Sequence, residues 1–90
     1  MEMTPDELAS IVIRNVRNRR QALGLTQAEL AERITRARGK AEPQVFGPYI
    51  AAIETGSRRP TLATLAELAT ALGIPPDLLL RDTTPTVIAS

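Results

Sequence analysis

Ninety residues, 43% of them hydrophobic, carry 11 Lys and Arg against 10 Asp and Glu, and none is Cys, His or Trp. That composition admits one domain with a modest core, and it excludes disulfides, thiolate or imidazole metal ligands and the nucleophile–histidine pairs of hydrolases. An acidic, proline-containing start (Glu2, Pro5, Asp6, Glu7) differs from the basic n-region of a signal peptide, and apolar runs such as Ile11-Val12-Ile13 are far short of a bilayer span, so a cytoplasmic protein with no cofactor or metal is expected.

Along the chain, helix punctuation is dense. Thr4-Pro5-Asp6-Glu7 combines a capping threonine, proline at the first helical position and glutamate three residues after the cap, which predicts a first helix over about 5–23 ending at Gly24. Its inward set is Leu8, Val12, Val16 and Leu23, widened by Ile11 and Ile13. Thr26-Gln27-Ala28-Glu29 is a second capping box, opening a helix with Leu30, Ala31 and Ile34 inward. That helix ends near Ile34 or runs on to Gly39; both fit the pattern.

The stretch Ala41-Glu42-Pro43-Gln44-Val45-Phe46 has no helical period and reads as a loop. Gly47 as cap and Pro48 as first position then open a short third helix, Pro48 to Thr55, stopped by Gly56. Thr61 caps a fourth helix carrying Leu62, Leu65, Leu68, Ala69 and Leu72 before Gly73. Pro75-Pro76-Asp77 starts a last short helix with Leu78, Leu79 and Leu80. The expected fold is all-α: a compact five-helix domain over 5–81, followed by a polar, flexible tail over 82–90 whose apolar pair is Val87-Ile88.

The small net charge hides an asymmetry. Arg14, Arg17, Arg19, Arg20, Arg33, Arg36, Arg38 and Lys40 crowd residues 14–40 against only Glu29 and Glu32, while both ends of the chain are acidic. Such a stripe is the electrostatic footprint of a polyanion site or, equally, a solvated helix face. Glu29 and Glu32 share a helix face with no convergent third group, so they predict surface charge and not an enzyme.

Three segments taken together, Leu25–Ile34, Tyr49–Gly56 and Arg59–Leu62 with Leu65–Ile74, resemble the XRE family, the Cro and phage-repressor type of helix-turn-helix domain, over roughly residues 8–81. The resemblance implies a lambda-repressor-like fold in which the second helix crosses the DNA backbone and the third lies in the major groove. It implies phosphate contacts from Thr26 and Gln27, at the start of the second helix, and from Arg17, Arg58 and Arg59. It also implies a structural ion pair between Arg20 and Glu54, and close helix packing at Ala31.

The chain departs from that pattern twice. Ile34 and Ile50 are 16 positions apart, about nine more than a standard helix-turn-helix spacing. The insertion brings Arg36, Arg38, Lys40 and Gln44, which suit a longer second helix or a basic arm along DNA. Second, the positions facing base edges are Gly47, Tyr49, Ala51, Ala52 and Thr55, with Pro48 among them. None offers an Arg–guanine or Gln–adenine pair, so Ala51 or Ala52 on a thymine methyl, Tyr49 through one hydrogen bond, the insertion and DNA shape are the remaining means of readout. Phe46 and Tyr49, beside a helix start, read as a staple or core plug before a DNA wedge.

The expected function is sequence-specific binding of double-stranded DNA by a transcriptional regulator, a dimeric repressor on a pseudo-palindromic operator. Leu78, Leu79 and Leu80 are the expected dimer surface, because three consecutive leucines cannot all enter one small core. The alternative is a protein-interaction module on the same fold, antitoxin-like or a regulatory partner, with weak or no specific DNA readout.

Overall fold

A computed structural model describes residues 3–82. Five helices follow one another: α1 (Pro5–Ala22), α2 (Gln27–Arg38), α3 (Gly47–Glu54), α4 (Leu62–Leu72) and α5 (Asp77–Leu80). There is no strand among the described residues. The expected tail beyond Asp82, with Val87 and Ile88, lies outside them.

Local chemistry sets most boundaries. Thr4 and Thr26 each accept a hydrogen bond from the backbone N–H three residues on, from Glu7 at 3.1 Å and Glu29 at 3.0 Å, and each glutamate reaches back to the cap. Both capping boxes therefore satisfy donors that a helix start leaves orphaned. Thr61 caps α4 through the Thr64 N–H at 3.2 Å. The open choice for α2 resolves to the longer helix, which stops at Gly39 with φ +81° and ψ −178°, a backbone conformation essentially restricted to glycine. α3 begins one residue earlier than expected: Phe46 is its N-cap, without a side-chain hydrogen bond, and Pro48 occupies the first turn, where its missing N–H costs nothing.

One apolar cluster holds the helices together. Val12 and Val16 of α1 meet Leu30, Ala31 and Ile34 of α2, Ile50 and Ile53 of α3, Leu68, Ala69, Ala71 and Leu72 of α4, and Leu79 of α5. Val45, just before α3, joins them from the inserted segment. Some expected core residues are not in it. Leu62 is 85% exposed. The buried residues of α4 are Thr64, Leu68, Ala69, Ala71 and Leu72; Leu62, the first residue of the helix, lies about two turns before Ala69 on the same side, at the exposed start of α4. Leu8 and Leu23 stand at the edges of the α1 contact, each 38% exposed.

The leucine triplet divides, which removes Leu79 from the expected dimer surface. Leu79 is fully buried in the monomer core, Leu78 is half-buried and Leu80 is 40% exposed. A four-residue helix has too few internal hydrogen bonds to stand alone, so α5 needs outside support. Asn15, a polar residue on the expected apolar side of α1, supplies it: its buried amide donates to the carbonyls of Leu79 (2.9 Å) and Arg81 (2.7 Å). Periodicity ignores such a residue because asparagine counts as polar wherever it points.

Two substitutions test this docking. Leu79→Ala should cost about 2–5 kcal/mol by leaving a cavity. Asn15→Leu should cost about 1–3 kcal/mol by stranding the α5 carbonyls. Both should lower the urea midpoint with the slope unchanged; an unaltered midpoint for either would show that α5 is not part of the cooperative unit.

Candidate nucleic-acid interface

The interface is organised from behind, by a buried carboxylate. Glu54 closes α3 with its side chain 2% exposed. Arg20 of α1 meets it with two parallel bonds, Nε to Oε2 at 2.7 Å and Nη2 to Oε1 at 2.9 Å, and sends Nη1 to the Leu25 carbonyl at 2.8 Å. Gln27, the first residue of α2, donates to Oε1 at 3.3 Å. Arg17 donates to the Glu54 backbone carbonyl at 2.6 Å, satisfying an acceptor at the α3 C-terminus. Three helices thus converge on one residue. Burial pushes the Glu54 carboxyl up, but hydrogen bonds from Arg20 and Gln27 and the charges of Arg20 and Arg17 outweigh it and hold the group below the usual carboxylate range. The same hydrogen bond raises the Arg20 guanidinium.

The inserted segment is pinned. The Thr35 hydroxyl accepts from the Val45 N–H at 2.8 Å and lies 3.1 Å from the Val45 carbonyl, closing the loop onto α2. Arg38 pairs with Glu67 of α4, with Nη2 to Oε1 at 2.8 Å, and donates to the Pro43 carbonyl at 3.1 Å. The hydrogen bond from Arg38 lowers the Glu67 carboxyl. Arg38, expected along DNA, therefore ties the loop to the body of the domain. Gly47 also faces inward: a Cβ there would lie 3.4 Å from the Ala28 backbone, so this glycine marks close approach of α3 to α2.

On the outer side of α3, Pro48 and Thr55 are exposed and Ala51 and Ala52 half-exposed. Tyr49 packs against the core and places its hydroxyl 3.2 Å from that of Thr64, with the Arg58 guanidinium 5.0 Å above its ring. Its ring is a plug and its hydroxyl has an internal partner. Thr55 lies within 3.3 Å of the Ala52 carbonyl and the Ser57 hydroxyl. Phe46, which the sequence suggested as staple or plug, is 64% exposed beside Pro48, and Gln44 is exposed on the same loop.

Most of the basic stripe is engaged inside the domain. Arg19 and Arg33 donate to the carbonyls of Leu72 and Ala71, both at 3.2 Å, where cations offset the negative end of α4. Arg36 pairs with Glu32, and Arg59 with Asp6, in exposed positions. Lys40 and Arg58 are exposed and form no ion pair with a described residue. Thr26 serves as a cap, and its Glu29 partner is held below the usual range by the Thr26 hydrogen bonds. No cluster of three or more metal-ligating residues occurs among the described residues.

The Glu54 node has a pH signature. Because its folded-state pKa is depressed, its contribution is present above the unfolded value, about 4.3, and is lost as pH falls through the folded one. Thermal melts from about pH 6 to about pH 3 should show Glu54→Gln less stable at the upper end and less acid-sensitive than the wild type. Parallel curves would remove Glu54 from the acid response. Glu54→Ala at neutral pH should cost about 3–5 kcal/mol, since Arg20, 12% exposed, is left without its counter-charge.

A family model described as a helix-turn-helix domain matches residues 14–81. No curated protein and no solved structure matches the chain significantly. The match takes in α2, α3, α4 and α5 complete, together with the part of α1 that supplies Arg17 and Arg20. The chain belongs to the helix-turn-helix domain family.

Proposed function

We propose that this protein is a sequence-specific binder of double-stranded DNA, a transcriptional regulator of the XRE type that acts in the cytoplasm as a homodimeric repressor on a pseudo-palindromic operator. The observation that carries the reading is the α2–α3 unit, with α3 held from behind at Glu54 and at Gly47 and its outer side, Pro48, Ala51, Ala52 and Thr55, turned to solvent. A short helix fixed at both ends is a rigid body that can enter a major groove without ordering cost.

Lys40 and Arg58 are the first phosphate contacts in this reading. Arg36 and Arg59 join them, because their exposed ion pairs are worth only about 0–1 kcal/mol and exchange readily for phosphate. Gln27 and Thr26 present the start of α2 to the backbone, while Arg17 divides its guanidinium between the Glu54 carbonyl and solvent, its side chain being 46% exposed. For the dimer contact, Leu80 and Leu8 flank a mostly apolar groove with Pro5, Ala9 and Pro60, bordered by Arg59. A second reading, contact with a partner protein through the same outer side of α3, draws on the absence there of any amide or guanidinium for bidentate base pairing.

Selection from a random duplex pool at about 150 mM salt tests the proposal. It should enrich a two-fold motif with half-sites about ten base pairs apart. Arg58→Ala and Lys40→Ala should each weaken binding to all sequences alike and lower the salt slope by about 1. No duplex binding at all would favour the partner-protein reading.

A further inference from the structure

We infer that the protein reads thymine through its C5-methyl group, with Phe46 as the reading side chain. The inference rests on the DNA-binding reading and adds the chemistry of its specificity.

Phe46 is 64% exposed although large aromatic side chains favour burial. Its neighbours on both sides are held in place. Val45 is buried in the core and hydrogen-bonded to Thr35, and Gly47 lies against the Ala28 backbone. Between them Phe46 has extended backbone, φ −120° and ψ 163°, and its ring stands outside the core cluster that Val45 joins.

Phe46 forms one shallow groove with Gln44, Pro48, Tyr49, Ala52 and Arg58. No carboxylate lines it, and Arg58 supplies positive charge at its wall, which complements a phosphate backbone. The side chains of Phe46, Pro48 and Ala52 neither donate nor accept hydrogen bonds. In the major groove the one base feature that such groups distinguish is the thymine methyl, since every other edge difference is a donor or an acceptor. The apolar part of this groove, Phe46 with Pro48 and Ala52, therefore selects for thymine at the step beneath the α3 N-terminus.

The test uses the full chain and the tightest duplex from the selection above. Each thymidine is exchanged singly for deoxyuridine, which removes the methyl and leaves the hydrogen-bonding edge intact. One or two positions per half-site should lose about fourfold in affinity, the worth of one buried methyl. Phe46→Ala should bind the thymidine duplex more weakly and show no further loss with deoxyuridine there, whereas Phe46→Leu and Gln44→Ala should keep the penalty. A duplex whose affinity ignores every exchange, a selected motif without thymine, or a full penalty persisting in Phe46→Ala would each overturn the inference while leaving DNA binding intact. Absence of duplex binding would instead remove the DNA reading, and this inference with it.

Discussion

A single desolvated carboxylate organises the domain. Glu54 is buried at the end of an eight-residue helix, where an isolated negative charge would face both a low-dielectric surrounding and the negative pole of the helix. It is tolerated because Arg20 meets it with two parallel hydrogen bonds and Gln27 adds a third. Arg17 neutralises the adjoining backbone carbonyl. The pair adds geometry more than net stability: a bidentate arginine fixes the angle as well as the distance, and so sets how α3 lies across α1 and α2. Everything proposed for the outer side of α3 presupposes that orientation.

The cations illustrate why charge along a chain is a weak guide to charge on a surface. Residues 14–40 look like a polyanion footprint, yet Arg19 and Arg33 close the C-terminal end of α4, Arg20 and Arg17 serve Glu54, and Arg38 joins Glu67 to the inserted loop. Arginine suits these tasks because its planar fork spans two acceptors from different elements. The positive potential left for a ligand comes mainly from Lys40 and Arg58, with Arg36 and Arg59 held only by exposed partners.

The insertion between α2 and α3 is likewise fastened to the core at some residues and exposed at others. Thr35, Arg38 and Val45 fasten it to the core, and that fastening leaves Gln44 and Phe46 projecting beside α3. An unpinned loop of this length would cost ordering entropy on binding; this one has met that cost in folding.

The sequence by itself determined the helix starts, because their signals are local: Thr4, Thr26 and Thr61 cap within three residues, whereas the stop of α2 at Gly39 was one of two ends that fitted the pattern. It also determined the core stripe of Val12, Val16, Leu30, Ile34, Leu68 and Leu72, because a 3.6-residue period survives in one dimension. The pairing of Arg20 with Glu54 was legible through resemblance, not through spacing. Only tertiary structure decided which face each ambiguous residue shows. Asn15 turns inward to hold α5, Leu62 stays exposed, Leu79 leaves its neighbours for the core, and Phe46 is exposed while Tyr49 is packed. Such outcomes depend on contacts like those of Asn15 with Leu79, 64 positions apart, and of Tyr49 with Thr64, 15 apart, and no local pattern encodes a partner that only the fold brings near.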